Sequence, residues 1–498
     1  MNSIADLPNP ILGAATLLSA ASLYVVAYRA ARGGRWRRAL LWIVAAGAVL
    51  RAYDASDLFL HSWDERFHVL VAKHLIEHPL VPTLIEDPVR PYDPGEWLAN
   101  HVWLHKPPFA LWLMALSMRI FGVNEIAARL PSLLLSTLAI LLTYGIGARL
   151  FGPREGLIAA FLHSLNGFLI ALSSGRSATD HVDTVFIVLI ELGIWLAVRC
   201  RDEPRLPAMA LVGVVTGCAI LTKWYMGGLV IAVAAGLLLS RHPWPRVIVP
   251  LGAATLAAAL TFVPWQAYVA HAFPVESAAG RQYFLRYLSE PMGGHAGGWL
   301  THVSQIPRLF GELAFIPLAW FLARVLPSRA RDLGALAAWF AIPYAVFSIA
   351  ATKMTAYVLI AAPAVFLMIA AGTRDLAATR FLTTRPRLRA IALVFILLLP
   401  LRLTIEKVEL FKPYDRCPAW ARELRALRGV IGTGPSVLFN EERPIEAMFY
   451  LPCTAYQGFP SEEEIERLTD RGYAVFLREA PDVPEFLLRD PRVTLVGE

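Results

Sequence analysis

The sequence predicts an all-α polytopic membrane protein of about twelve transmembrane helices, followed by a small soluble α/β domain. Hydrophobic residues make up 56% of the 498-residue chain and charged residues only 17%, whereas soluble domains are about 25% charged. Apolar stretches close to the roughly 20 residues that cross a bilayer core recur along most of its length. From residue 409 the composition becomes more charged. These observations exclude an ordinary soluble enzyme.

Twelve apolar windows account for the predicted spans. The first lacks the charged n-region and small-residue cleavage site of a signal peptide, so we interpret it as a retained helix. Two shorter apolar segments, 66–78 and 108–121, are predicted to be helices lying in the membrane interface. The twelve windows are residues 10–28, 39–58, 127–150, 156–173, 182–198, 208–222, 226–240, 247–270, 309–326, 333–350, 356–372 and 388–406.

Arginine residues set the predicted orientation. Six short connections between windows together carry 20 Arg, and they alternate with connections that are not Arg-rich. The positive-inside rule therefore places the Arg-rich connections in the cytoplasm and both termini outside a bacterial inner membrane. The outer face then carries loops at about 59–108, 174–181 and 271–308, all within a membrane domain of residues 1–408.

Residues 409–498 form the predicted periplasmic α/β domain. This tail has 16 acidic and 11 basic residues, net −5, which leaves +12 on the first 408 residues out of a total of +7. Short apolar runs alternate with a charged helical stretch, a pattern typical of a small α/β module. Cys417 and Cys453 both lie in the tail, and because disulfides persist in the periplasm we expect them to pair.

The first outer loop begins with two adjacent acidic residues, Asp64 and Glu65, directly after a span. Carboxylates at a membrane boundary are costly to desolvate, which favours a role in a site over a role in stability. We expect both to be catalytic, with Asp64 as a general base or a metal ligand. His68 would share the helical face of Asp64, four residues on. The alternative for Asp64 is a simple helix N-cap.

Three lysines lie at predicted outer ends of spans, where the positive-inside rule depletes them. Lys106 follows His105 and precedes two prolines, while Lys223 and Lys353 lie between later spans. Such a set predicts a pocket for an anion, and a lipid phosphate is a natural partner at headgroup depth. The alternative for each lysine is ordinary snorkelling to the interface.

The second outer loop carries Asp180, His181 and Asp183 at a helix start. Two acids one helical turn apart, flanking a histidine, would complete a metal or acceptor site with the first loop, and we expect both acids to be catalytic. Asp64 and Asp183 are the candidate ligands for a divalent metal ion whose identity the sequence does not reveal. Capping of the helix is the alternative for Asp183.

Other functions match the sequence less well. His74 to His78 has the H-x-x-E-H pattern of inverted zinc peptidases, but Pro79 follows at once and no further acidic ligand stands out. A transporter or flippase of lipid-linked saccharide would place charges near mid-bilayer and show repeated halves, and neither pattern is found. No P-loop or dinucleotide motif is present. We therefore expect neither a nucleotide nor a nucleic acid as a partner.

Five blocks of sequence, in order, resemble the aminoarabinose transferases and protein mannosyltransferase-like enzymes, which are C-type integral-membrane glycosyltransferases. The chain departs from that family at His68, where Tyr is frequent, at His105, where an acid is frequent, and at Trp224, where Gly is usual. The blocks cover roughly residues 40–370 and are Asp64-Glu65, Lys106 to Pro108, Glu125 to Ser132, Asp180 with Asp183, and Leu221 to Lys223 with Lys353 to Tyr357.

The resemblance implies a glycosyltransferase that moves a sugar from a polyprenyl-phosphate-linked donor to a lipid, glycan or protein acceptor on the outer face of the membrane. A membrane lipid is therefore an expected partner. The resemblance also implies that Asp64 and either Asp180 or Asp183 line the active site. The donor phosphate would contact Lys106, Lys353 and Tyr357, and the rest of the cavity would include His68, His105, His181 and Lys223.

Overall fold

The computed structural model describes residues 8–96 and 100–497, and it is mostly helical. The first part of the chain contains the longest helices, with a 3-10 turn at Tyr225–Gly228. The helices are α1 (Asn9–Arg32), α2 (Trp36–Asp54), α3 (Asp64–His74), α4 (Phe109–Phe121), α5 (Glu125–Leu150), α6 (Pro153–Leu165), α7 (Gly167–Ser173), α8 (His181–Cys200), α9 (Leu206–Lys223), α10 (Leu229–Leu239), α11 (Trp244–Ala272) and α12 (Pro274–Ser289).

Shorter and interrupted helices follow, and then a small sheet. A π-helical turn at Phe321–Val325 and 3-10 turns at Met292–Gly294 and Thr355–Ala361 separate some of them. The elements are α13 (Thr301–Ser304), α14 (Ile306–Phe310), α15 (Phe315–Trp320), α16 (Leu326–Ser328), α17 (Ala330–Ile349), α18 (Ala362–Ala377), α19 (Arg380–Thr383), α20 (Pro386–Lys407), α21 (Ala419–Ala426), α22 (Arg428–Ile431), β1 (Ser436–Phe439), α23 (Pro444–Tyr450), β2 (Thr454–Ala455), α24 (Glu462–Asp470), β3 (Ala474–Arg478), α25 (Glu485–Arg489) and β4 (Val493–Val496).

Eight of the described helical segments are long and apolar enough to cross a membrane, and counting the bent pair α6 and α7 as one span makes nine. The eight are α1, α5, α8, α9, α11, α17, α18 together with the 3-10 turn before it, and α20. The chain is therefore a multi-pass helical membrane protein, as the sequence predicts. The twelve apolar windows fall largely on helical backbone, but twelve spans remain a prediction.

One predicted span is broken by an asparagine. Helices α6 and α7 meet at an angle of 56°. Between them Asn166 leaves the helical conformation and caps α7, where its side chain accepts a hydrogen bond from Leu169 N at 3.0 Å. Asparagine side chains compete with the helical backbone in this way. The same side chain donates to Leu309 O at 2.7 Å, which ties the break to α14.

Helices α9 and α11 pack closely through small residues. Gly213 and Gly217 lie four residues apart on α9, and a Cβ atom at these positions would collide with Ala254 O and with Thr261 of α11. Small residues at this spacing let two membrane helices approach backbone to backbone. The contact positions the end of α9, where Lys223 lies.

Helix α3 is not the interfacial helix that the sequence predicts. Val69, Leu70, Val71 and Ala72 are all fully buried, so no apolar face is left for lipid. The helix packs against α4 on one side and α23 on another. The prediction was wrong because α23 lies more than 350 residues further along the chain, and a local apolar pattern does not show what covers it.

The tail contains a four-stranded parallel sheet in the order β2-β1-β3-β4. Val437 of β1 lies opposite Val475 of β3, which in turn lies opposite Val493 of β4. Parallel neighbours require crossover connections, and α23, α24 and α25 lie in them. Ile465 and Leu468 of α24 are buried against the sheet, which explains the alternation of apolar runs with a charged helix.

Arginines of the tail bind acids of the membrane part. Arg416 NH1 donates to Asp57 Oδ1 at 2.8 Å, and Arg425 NH2 donates to Glu125 Oε1 at 2.5 Å. Asp57 and Glu125 are buried. The arginines therefore compensate carboxylates that would otherwise be costly to remove from water.

The predicted disulfide between Cys417 and Cys453 is not formed, and both residues are free thiols. Cys417 Sγ lies 3.7 Å from NH1 of Arg425. Cys453 precedes β2, and burial raises the pKa of its thiol to about 12. A thiol of that pKa stays protonated and unreactive at neutral pH. The two thiols therefore lie in different surroundings and are not bonded to each other.

Candidate active site

A cavity of about 540 Å³ lies where the predicted site blocks meet. Its walls come from the start of α3, the residues before α4, the facing ends of α8 and α9, helix α12 and the 3-10 turn Thr355–Ala361. Six of the predicted site residues line it: Asp64, His105, Lys106, Asp183, Lys223 and Tyr357. Segments that are distant in sequence therefore form one site.

Asp64 and Lys106 face each other across this cavity. Lys106 Nζ lies 3.8 Å from Asp64 Oδ2, and their side chains are 14% and 21% exposed. Burial raises the pKa of the Asp64 carboxyl, although Lys106 and His68 act in the opposite direction. A carboxylate with a raised pKa is better suited to accept a proton than an ordinary aspartate.

Asp183 and Lys223 form a second ion pair in the same cavity. Lys223 Nζ also lies 5.2 Å from the centre of the Tyr357 ring. The site therefore combines two lysines with two carboxylates, in a partly desolvated space where each charge has more effect than in water. Asp183 therefore has a role besides the predicted alternative of capping α8, because it is the ion-pair partner of Lys223.

Glu65 does not line the cavity, contrary to its predicted catalytic role. It is fully buried and accepts hydrogen bonds from Arg129 Nε at 2.7 Å, from Arg129 NH2 at 3.0 Å and from His61 N at 2.7 Å. Burial would raise the pKa of Glu65, but Arg129 and His61 hold it well below its usual range. Gly175, with φ of +80°, passes so close that a Cβ atom there would collide with the carboxyl. Glu65 is a structural anchor.

His181 was also predicted to line the cavity and lies outside it. Its Nε2 is 3.0 Å from Glu65 Oε1, and its Nδ1 is 2.8 Å from Ser132 Oγ. The side chain is completely buried. His181 therefore links α8 to α5 through the Glu65 anchor and touches no cavity space.

Asp180 and His68 form a buried pair just outside the cavity wall. His68 Nδ1 lies 2.7 and 2.8 Å from the two oxygens of Asp180. Asp180 also caps α8, accepting from Val182 N at 3.1 Å. Burial would raise the pKa of Asp180, but His68 lowers it below its usual value. Neither residue lines the cavity, so their predicted roles as catalytic acid and cavity residue are corrected.

Lys353 does not point into the cavity, contrary to its predicted phosphate contact. Its ammonium donates to Phe347 O at 3.0 Å, to Ser348 O at 2.7 Å and to Ala350 O. Carbonyl groups at a helix C-terminus lack partners within the helix and carry partial negative charge. Lys353 therefore caps α17, a role that its sequence neighbourhood alone does not reveal.

His105 lines the cavity as a neutral ring. Burial and the neighbouring Lys106 lower its pKa to about 4. At neutral pH it therefore adds no positive charge for a phosphate. Its ring makes an edge contact with Tyr283 at 5.2 Å between centroids, which joins the first loop to α12.

Comparison with known proteins finds one matching family and several similar sequences. Residues 105–268 match the family described as dolichyl-phosphate-mannose-protein mannosyltransferase. Among curated relatives, undecaprenyl phosphate-alpha-4-amino-4-deoxy-L-arabinose arabinosyl transferase of Pseudomonas aeruginosa (strain LESB58) is 29% identical over 281 residues, which is 53% of this chain and 50% of the relative. The corresponding enzyme 1 of Pseudomonas fluorescens (strain Pf0-1) is 27% identical over 279 residues, or 53% and 48%. The chain thus spans about half the length of the curated relatives it matches.

Two solved structures resemble most of this architecture. ArnT from Cupriavidus metallidurans bound to undecaprenyl phosphate has a TM-score of 0.59 and 16% identity, covering 86% of this chain and 87% of ArnT. The archaeal oligosaccharyltransferase AglB from Archaeoglobus fulgidus has a TM-score of 0.55 and 14% identity, covering 84% and 64%. The chain has the fold of the C-type membrane glycosyltransferases. The resemblance that the sequence motifs indicated is thereby confirmed.

Two tyrosines that the sequence analysis did not single out contribute to one wall of this cavity. Tyr283 and Tyr287 of α12 line it, together with Trp224. Trp224 has φ of +62° and stacks on Phe284 with ring centroids 4.6 Å apart. An aromatic wall offers an apolar surface on which a ring-shaped ligand can pack, while the lysines of the same cavity supply positive charge. Tyr283 and Tyr287 lie four residues apart and therefore share one face of α12, which is the sequence feature that could have identified them.

A metal ion does not fit the predicted ligands well. Within residues 8–96 and 100–497, no group of three or more His, Cys, Asp and Glu side chains is placed to hold one. Asp64 and Asp183 instead face Lys106 and Lys223. The lysines already supply the positive charge that a divalent ion would bring to these carboxylates.

A second, polar cavity of about 530 Å³ is lined in part by residues 59–63 at the start of the first loop. Trp63, which is 61% exposed, borders both cavities. Basic and acidic side chains from the connection between α7 and α8, from α14, from α20 and from the tail line the second cavity: Arg176, Arg308, Glu406, Lys407, Glu409 and Arg443. Asp64 follows Trp63 and therefore lies close to the boundary between the two spaces.

Proposed function

We propose that this chain transfers a sugar from a polyprenyl-phosphate-linked donor to an acceptor at the outer face of a bacterial inner membrane. One observation carries the proposal: Lys106 and Lys223 share one cavity with Asp64. Cations of this kind stabilise a departing lipid phosphate. The relatives named for undecaprenyl-phosphate aminoarabinose transfer, and the ArnT structure with undecaprenyl phosphate, support the proposal.

The two lysines act on the leaving group in this proposal. When the bond between the sugar C1 and the phosphate oxygen breaks, the electron pair stays on the oxygen. The lipid phosphate is a stable anion and needs no general acid, so fixed positive charge is the main requirement. Lys106 would meet the phosphate directly, and Asp183 would position Lys223 beside it.

Asp64 is the general base of the proposed reaction, and the acceptor is a hydroxyl. An attacking hydroxyl must lose its proton to a group within hydrogen-bond reach. A phosphate acceptor would need no base, and it would meet the Asp64 carboxylate as a like charge. The second cavity provides space for the acceptor on the side of Trp63 away from the donor.

The proposal is tested by the release of polyprenyl phosphate. Purified protein in liposomes is given a radiolabelled polyprenyl-phosphate sugar together with a lipid extract containing candidate acceptors. We expect labelled sugar to move to an acceptor while free polyprenyl phosphate accumulates. Movement of intact donor across the bilayer without release would instead support the transporter or flippase, and peptide cleavage would support the peptidase.

We also propose the arrangement in the membrane. The twelve apolar windows would form the membrane part of residues 1–408, and residues 409–498 would be a periplasmic α/β domain beside the outer loops. The six Arg-rich connections would be cytoplasmic. Contacts between the tail and the first loop, such as the ion pair of Arg90 with Glu464, support placing these two parts on one side.

We expect single cysteines at Gly95 and Gly298 to react with an impermeant maleimide added to spheroplasts, whereas one at Gly33 reacts only after lysis. Gly33 is preferred to its neighbour Gly34, whose φ of +70° disfavours a side chain. The four native cysteines are first replaced. Labelling at Gly33 in sealed spheroplasts, with Gly95 protected, would place the site on the cytoplasmic side.

Lys106→Ala is expected to raise the KM for the lipid donor and to lower kcat, each by about tenfold, because the ammonium meets the phosphate before and during bond breaking. Lys106→Arg should retain part of both effects. Lys353→Ala is the matched control, since Lys353 caps α17 and should affect thermal stability rather than donor KM. An unchanged donor KM in Lys106→Ala would contradict the phosphate contact.

Metal dependence remains a prediction from the sequence, with Asp64 and Asp183 as the ligands. The lysine contacts of both acids favour a reaction in which the chain's own cations carry the charge. Treating the reconstituted protein with a chelator and then adding back single divalent ions measures the dependence directly.

A further inference from the structure

We propose that the second cavity binds the phosphate group of a phosphorylated saccharide acceptor through Arg308, Lys407 and Arg443. The inference deepens the proposed function and rests on it, because the second cavity is where the acceptor would lie. It names a substrate class, a saccharide whose phosphate is separate from the hydroxyl that attacks the donor. The three basic residues determine acceptor specificity in this proposal and take no part in the chemical step.

The first observation is that these three side chains have no acidic partner. Among the residues that the structure describes, Arg308, Lys407 and Arg443 line the second cavity and form no ion pair with a carboxylate. Lys407 and Arg308 are close enough for their charges to repel each other. Like charges gathered in one space are unfavourable unless an anion offsets them. The arrangement therefore indicates a negatively charged ligand.

The acids of the same cavity are already engaged with other arginines. Glu406 Oε2 lies 3.3 Å from NH1 of Arg402, a residue that does not line the cavity. Glu409 Oε2 accepts a hydrogen bond from Arg176 NH2 at 2.6 Å. The cavity wall carries four Arg and Lys residues against these two Glu residues. Positive charge therefore remains for a ligand to meet.

Aromatic rings hold two of the cations in place without neutralising them. The guanidinium carbon of Arg443 lies 4.4 Å from the centre of the Trp420 ring, and Lys407 Nζ lies 4.8 Å from the centre of the Phe168 ring. Both rings line the same cavity. A guanidinium that lies over a ring keeps the N–H donors of its edge available for two parallel hydrogen bonds to a phosphate. The site is thus pre-organised for an oxyanion.

Two of the cations lie where basic residues are uncommon. Arg308 directly precedes the predicted span 309–326, and Lys407 directly follows the predicted span 388–406. The Arg-rich connections place both of these span ends outside, where the positive-inside rule depletes basic residues. The tail supplies the third cation, Arg443, directly before α23. Segments far apart in sequence therefore bring positive charge to one cavity.

The rest of the wall favours a saccharide over a lipid headgroup. Of the described residues that line the cavity, only Leu60 and Leu403 are aliphatic, so an acyl chain would find little apolar surface there. Trp63 and Trp420 offer ring faces on which a sugar ring can pack. The volume of about 530 Å³ lies in the range of small-molecule sites.

The position of Trp63 relates the phosphate site to the reaction. Trp63 lines both cavities, and the next residue is Asp64. A phosphate held by the cations of the second cavity stays apart from the Asp64 carboxylate, a like charge that would repel it. The hydroxyl of the same saccharide extends past Trp63 to the base. Binding energy at the phosphate is thus used to select and orient the acceptor.

Binding of glucose 6-phosphate tests the site without requiring transfer. Isothermal titration calorimetry of the full chain in phosphatidylcholine nanodiscs gives its Kd, with glucose as the uncharged comparison and inorganic phosphate as the bare anion. We expect glucose 6-phosphate to bind at least about tenfold more tightly than either, and to lose affinity as salt is added. A Kd for glucose or for inorganic phosphate equal to that of glucose 6-phosphate would overturn the inference. So would loss of binding in phosphatidylglycerol nanodiscs, because a lipid headgroup would then occupy the site.

Variants locate the binding in the second cavity. Arg443→Gln and Arg308→Gln are each expected to weaken glucose 6-phosphate binding by about tenfold and to leave glucose binding unchanged. Arg471→Gln is the matched control, since Arg471 is an exposed tail arginine that also lies over an aromatic ring, that of Tyr473, but lies outside the cavity. An unchanged Kd in both cavity variants would overturn the inference. If Arg443→Gln does not fold, the exposed Arg308 gives the same test.

Kinetics of transfer separates this inference from the proposed function. In the liposome assay, Arg443→Gln should raise by about tenfold the amount of acceptor extract that gives half the maximal rate, with the donor KM and kcat unchanged. A parent protein that transfers sugar equally well with Arg443→Gln and Arg308→Gln would contradict the inference alone. A parent protein that binds glucose 6-phosphate but releases no polyprenyl phosphate from any donor would overturn the proposed function, and the acceptor role of the site with it.

Discussion

Asp64→Asn is expected to lower the rate of sugar transfer by at least about 100-fold, because the amide cannot accept the acceptor proton. The substitution is close to isosteric, so the cavity should keep its shape. Burial already raises the pKa of this carboxyl, and the variant removes its proton-accepting capacity altogether. Single-turnover transfer from a labelled donor measures the effect on the chemical step.

Glu77→Gln is the matched control for Asp64→Asn. Glu77 is an exposed acid just beyond the same helix, and its neutralisation should leave the rate unchanged. Both variants should show the same thermal unfolding as the parent. A fall of less than about tenfold for Asp64→Asn, equivalent to about 1.4 kcal/mol, would show that Asp64 is not the base.

Arg129→Met is expected to destabilise the folded protein by about 3 to 5 kcal/mol, because it leaves a fully buried carboxylate without its cation. Arg129 binds Glu65 through two nitrogens and also donates to Phe59 O at 2.6 Å. Thermal unfolding in detergent, followed by tryptophan fluorescence, measures the loss. Arg119→Met is the control, since Arg119 is exposed at the end of α4.

The effect of Arg129→Met should depend on pH in a defined direction. Despite burial, Arg129 and His61 hold the pKa of Glu65 well below its ordinary value. The stability that the pair contributes is therefore present above the ordinary pKa and is lost only as pH falls through the folded-state pKa. The difference in Tm between parent and variant should narrow in strong acid. Equal Tm values at neutral pH would contradict the anchor role of Glu65.

Most of the long helices are predictable from the sequence, because apolar windows mark the segments that cross lipid and arginines mark the span ends near the headgroups. The breaks are harder to predict. The kink at Asn166 depends on Leu309 O, a partner that lies far along the chain. The burial of α3 depends on α23 of the tail. Local patterns identify helices but do not identify what covers them.

The site residues divide in the same way, into those that the local sequence identifies and those whose role depends on a distant partner. That Asp64, Lys106, Asp183 and Lys223 line one cavity was predictable, because charge at a span end is rare and costly. Glu65 was misjudged, since nothing in its neighbourhood reveals that Arg129, 64 residues away, neutralises it. The tyrosines of α12 were missed because an aromatic residue near a membrane is usually an interface anchor.

The arginines of the tail constrain which amino-acid substitutions this protein can accept during evolution. Arg416 reaches Asp57 across 359 positions, and Arg425 reaches Glu125 across 300. Losing either arginine removes a charged partner of a buried acid, so such a change should be better tolerated when the acid changes as well. Exchanging the tail with that of a distant homologue should therefore fail unless Asp57 and Glu125 are exchanged to match. The membrane part and the tail are therefore expected to change together, however different their compositions.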